Sequence, residues 1–158
     1  MYSSCTKFFA KILALGCLFF GFSSTSALAG DQDTMDKVRL TFTIVTSNQL
    51  AAEGDALFKS HALWMKETHQ HKGTKALLSY DVSKMAELSD PTDLTSRPTG
   101  NTVFVLTEVY ESVAGVQDHF QRTPSWKDWP SFDAWMKKSK ATKVASAKIV
   151  NSLTWGGK

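Results

Sequence analysis

The segment Asn101–Tyr110 constrains the fold more than any other, because it is apolar on both of its faces. Val103, Val105 and Val109 alternate with Phe104, Leu106 and Tyr110. Successive side chains of a strand point to opposite sides of the sheet, so neither side of this one suits contact with water. Helices can shield one face. The other needs a second cover, and a second copy of the same sheet about a two-fold axis is the cheapest supply. The expectation is a homodimer with its sheets face to face; an enclosed ligand could also use such a face.

The segments around this strand carry alternating helix and strand periods. Val38 to Thr46 places Val38, Leu40, Phe42 and Ile44 on one side and reads as a strand. Leu50 to about His71 reads as a long helix. Leu57, His61, Trp64 and Thr68 form one row of it, Phe58, Ala62, Met65 and His69 the next, and Gly73 is a natural stop. Lys75 to Ser83 is a second strand. Pro91, Pro98 and Gly100 then mark Lys84 to Gly100 as a long connection. After the central strand, Ser112 can cap a helix from Val113 to Arg122, and Pro124 breaks it. Pro130 to Ser139 reads as a short helix, and Thr142 to Trp155 closes the chain as a strand. The order β-α-β, loop, β-α-(α)-β is the split β-α-β arrangement of ferredoxin-like α+β domains with an antiparallel sheet. Residues 38–158 form one such domain, and 30–37 are a flexible lead-in.

The first 29 residues stand apart. They contain Lys7 and Lys11, no acid and an apolar run from Phe8 to Phe22, and the stretch ends in Ala27-Leu28-Ala29, the pattern of a cleaved export signal. Ala14-Leu15-Gly16 before Cys17 is a partial match to a lipoprotein signal, a competing reading. Without the leader, sixteen basic residues face fifteen acids, so the mature charge is about +1. That near-balance gives no electrostatic case for nucleic acid, nor for membrane attachment after cleavage. Both cysteines, Cys5 and Cys17, fall in the leader, which leaves the mature chain without a disulfide or a thiolate ligand. A periplasmic or secreted location follows.

Phe104-Val105-Leu106-Thr107-Glu108-Val109-Tyr110-Glu111, with Ala114 and then His119-Phe120, resembles the antibiotic-biosynthesis monooxygenase-like family. The pattern is a strand ending Glu-hydrophobic-aromatic, a capped helix and a histidine near that helix's end. The fold resemblance spans Val38 to Trp155. It implies a dimeric α/β barrel of the ferredoxin-like kind with a pocket between sheet and helices. Some relatives oxidise phenol- or quinol-like substrates with oxygen and no cofactor, and others degrade haem. The resemblance implies oxidation of such a hydrophobic or aromatic small molecule without a cofactor; the alternative is a non-catalytic binding protein for a hydrophobic small molecule or haem.

His119 matches the family pattern most directly. It lies at the edge of a Val113/Val116/Phe120 stripe, either as a pocket-facing general base or as a surface or capping histidine. His61 sits mid-row beside Trp64, in the core or against a cavity. Glu108 shares a face with Phe104, Leu106 and Tyr110, so it must be paired, hydrogen-bonded or raised in pKa. Backbone N–H groups of the next helix, Arg39, Arg97 or a ligand could serve it. Trp64, Tyr80, Tyr110 and Trp126 are candidate pocket walls, or core and dimer contacts. His69 and His71 suit a helix C-terminus. No metal site is expected, since His61 and His69 lie about 12 Å apart along one helix and no H-E-x-x-H or cysteine spacing is present. No phosphate-cradling glycine motif or serine-nucleophile motif occurs.

Overall fold

A computed structural model describes residues 36–153. The expected leader with Cys5 and Cys17, most of the lead-in, and Trp155 lie outside the described residues. Within them the order is β1 (Val38–Ser47), α1 (Ala51–Thr68), β2 (Leu77–Leu88), β3 (Pro98–Tyr110), α2 (Val113–Arg122), α3 (Trp129–Lys137) and β4 (Lys140–Lys148). The four strands form one antiparallel sheet in the order β2-β3-β1-β4. The chain is thus α+β, and its topology is compatible with a ferredoxin-like split β-α-β domain.

Alternation does what the sequence implies. On β3, Thr102, Phe104, Leu106, Glu108 and Tyr110 are buried, while the intervening valines are half-buried. The register sets Phe104 opposite Ile44 and Leu106 opposite Phe42, so both strands present one inward face. Against it pack Phe58, Trp64 and Met65 of α1, Val116 of α2, and Phe132 and Trp135 of α3. Phe58, Phe104 and Trp135 meet at ring separations of 5.3–5.8 Å, within the range of favourable aromatic pairs.

Four expectations change. Lys84–Gly100 is largely sheet: β2 and β3 continue as a hairpin arm that pairs Met85 with Val103 and Leu88 with Pro98, leaving only a tip at residues 89–97. Pro98 opens its strand, where a missing N–H costs little, and Gly100 takes φ +93°, a conformation that favours glycine. α1 stops at Thr68 rather than His71, because His69 adopts an extended backbone and turns inward. On α2 the buried residues are Gly115, Val116, Asp118 and His119; Val113 and Phe120 are exposed. The inner stripe is therefore rotated from the expected one, and His119 lies at its centre. β4 ends at Lys148, well short of Trp155.

Candidate functional site

Helical spacing on α1 drives His61 into the interior, since Gly54, Leu57, Phe58, His61, Trp64 and Met65 form one buried face. α2 enters through the Ser112 cap, whose Oγ accepts from the Ala114 N–H at 3.1 Å. The helix comes so close to the sheet that a Cβ on Gly115 would stand 2.7 Å from Tyr110 Cδ1. That approach delivers His119 to the same space as His61, their rings 5.7 Å apart. Glu108 reaches it from β3. The ligand-type atoms of His61, Glu108 and His119 all lie within 4.8 Å of one another, with the side chains 4%, 0% and 4% exposed, respectively.

Hydrogen bonding orders the protons behind the histidines. The Thr68 hydroxyl donates to the Trp64 carbonyl at 2.7 Å, so toward His69 Nδ1, 3.0 Å away, the same oxygen must accept. His69 therefore carries its proton on Nδ1. Burial, then the Arg122 charge, holds its pKa down to about 4, so at neutral pH its Nε2 is a lone pair. His119 Nδ1 lies 3.1 Å from that nitrogen and must donate to it. What remains on His119 is a bare Nε2 lone pair. Burial and the neighbouring imidazoles hold His119 itself down to about 3, and burial with His69 does the same for His61. His61 Nδ1 is bonded to the Tyr80 hydroxyl at 3.0 Å, and its Nε2 has no hydrogen-bond partner among the described residues.

Glu108 is held differently from every protein partner expected for it. Tyr110, two residues along on the same face, donates its hydroxyl to Oε2 at 2.6 Å. Oε1 is buried and has no hydrogen-bond partner among the described residues. Arg39 and Arg97 are both exposed. Burial pushes the carboxyl up to about 7, against the pull of the tyrosine bond. Burial, then Glu108, raises both Tyr80 and Tyr110 far above the usual phenol range, so their hydroxyls stay protonated.

In front of this cluster lies a cavity of about 280 Å³. His61, His119 and Thr123 are among its polar lining; Phe42, Trp126, Trp129 and Phe132 are among its apolar walls, and Lys143 also lines it. The Lys143 ammonium rests 5.5 Å over Phe42 and 5.4 Å over Phe120. Of the four expected wall residues, Trp126 lines the cavity, its ring 4.8 Å from His61. Trp64, Tyr80 and Tyr110 pack behind the histidines and the carboxylate.

His69 was missed because a helix-end histidine has a sufficient explanation in the dipole; only its extended backbone turns it inward. Lys143 carries no sequence signal for the site, since it reaches it from an exposed position on β4. Spacing along one helix sets His61 and His69 too far apart to share an ion, but His61, Glu108 and His119 come from α1, β3 and α2. No protein-family model, curated protein or solved structure matches this chain.

Proposed function

We propose that the protein binds a flat, largely apolar small molecule carrying a hydroxyl group, of the phenol or quinol class, in the cavity in front of His61 and His119. The carrying observation is that His119, its Nδ1 bonded to His69 and its Nε2 left as a lone pair, lines an aromatic-walled space together with His61. A hydroxyl donates to that nitrogen while the ring stacks against Trp126 and Phe132. A volume of about 280 Å³ lies at the small end of ligand sites and favours one or two rings over haem. Quenching of tryptophan fluorescence by a quinol panel tests this. Saturable binding that is lost in His119→Phe and kept in His71→Ala supports it; equal binding by both variants refutes it.

Oxidation of such a ligand by oxygen, without a cofactor, is the catalytic form of the same proposal. Lys143 favours it, as a cation lining the cavity that would stabilise a phenolate. Against it stands the weakness of the base: a phenol near pKa 10 facing an imidazole near 3 makes proton transfer uphill by roughly 9 kcal/mol before that stabilisation. Binding is thus the better-supported function, and oxygen uptake with the bound quinol decides whether chemistry follows.

A homodimer and export complete the proposal. Met85 and Val144 sit about half exposed on the outward sheet face beside the half-buried valines of β3, a surface suited to a twin sheet. Sedimentation at micromolar concentration should give a dimer that Val105→Arg dissociates. N-terminal sequencing of the exported protein should begin at Gly30.

A further inference from the structure

We propose that His61, His119 and Glu108 form a binding site for one divalent first-row transition ion, with zinc and ferrous iron the ions that a two-histidine, one-carboxylate set suits. Three donor side chains from three elements converge to within 4.8 Å. Adjacent ligands of an ion bound at about 2.1 Å stand roughly 3.3 Å apart, so small ring rotations close the site.

Two observations beyond convergence point to an ion. Each donor is held from behind by its own partner: Tyr80 on His61 Nδ1, His69 on His119 Nδ1, and Tyr110 on Glu108 Oε2. Such outer bonds orient the ligands of a metal site and select Nε2 as the donor atom. His119 is already in that tautomer, by the chain of donors from Thr68. Independently, Glu108 is fully buried and its Oε1 meets no donor among the described residues. A carboxylate in an aromatic core with one oxygen unsatisfied is costly, and a cation between it and two imidazole lone pairs removes that cost. The histidines also line the cavity, so the ion's open positions face it; with the His119 lone pair on the ion, the ligand oxygen binds the ion instead of that nitrogen. That last point rests on the ligand proposed above; ion binding does not.

The test strips the purified protein with a chelator and titrates it with Co²⁺, then Zn²⁺. One ion per chain is expected, with visible ligand-field bands that zinc abolishes. Glu108→Gln and His119→Gln should each weaken binding at least about 100-fold, Tyr80→Phe and Tyr110→Phe about 10- to 100-fold, and His71→Ala not at all. Circular dichroism of Glu108→Gln separates a lost ligand from a lost fold. The proposal is overturned if the folded protein shows no bands, if binding survives Glu108→Gln undiminished, or if it disappears in His71→Ala. Quinol binding is read on the chelator-stripped protein, where the His119 lone pair carries no ion: there, quinol binding without Co²⁺ binding sinks the metal site alone, and Co²⁺ binding without quinol binding sinks the ligand proposal alone.

Discussion

Replacing Glu108 with glutamine should make the metal-free protein more stable, and more so at high pH. Burial raises this carboxyl from 4.5 to about 7, so the fold holds the proton more tightly than the unfolded chain does. The stability so gained is complete below pH 4.5 and is lost as pH rises through 7. At pH 8 the ionised group costs the fold about 3 kcal/mol, from a difference of about 2.5 at roughly 1.36 kcal/mol each; at pH 5 the cost is under about 1 kcal/mol. Glutamine keeps an acceptor for the Tyr110 hydroxyl and never ionises. In a domain of this size roughly 4 °C accompanies each kcal/mol. Glu108→Gln should therefore raise the midpoint by about 12 °C at pH 8 and by only about 3 °C at pH 5. Thermal melts of both proteins in chelator at the two pH values measure this. A variant no more stable than its parent at pH 8, or a gain independent of pH, would refute the assignment of Glu108 as an under-compensated buried acid. A residue kept at such a cost fits a group held for binding rather than for stability.

Further outcomes follow from the same geometry. His61 and His119 are held neutral, near 3 in the fold against 6.5 outside it, so their contribution is complete above pH 6.5 and declines as pH falls toward 3. By pH 5 the pair costs about 4 kcal/mol, partly offset by Glu108; in Glu108→Gln the offset disappears, and urea midpoints at pH 8 and 5 should spread further. Gly115→Ala places a methyl 2.7 Å from Tyr110 Cδ1 and 3.1 Å from the Lys75 carbonyl. It should cost about 1–3 kcal/mol by denaturation and weaken quinol binding by displacing His119. Ser112→Ala removes the α2 cap and the hydroxyl's bond to the Thr74 carbonyl. A loss of about 1 kcal/mol is expected, and an unchanged midpoint would show that water replaces the cap.

Much of the architecture could be read along the chain. The period-two runs at Val38 and Asn101, the helical rows through His61, the Ser112 cap and the Pro124 break each depend on neighbours a few residues away, and each is found. His61, His119 and Glu108 could be singled out because polar groups on apolar faces need a reason to be there. Their meeting could not be read, since it depends on how far α2 turns about its axis and how closely Gly115 lets it approach the sheet. The same holds for His69, which enters the cluster through one extended residue after the helix, and for Tyr110 as the partner of Glu108. Local periodicity sets which side of an element faces inward. Only the packing of three elements against one another sets which inward groups touch, and so which nitrogen keeps its proton.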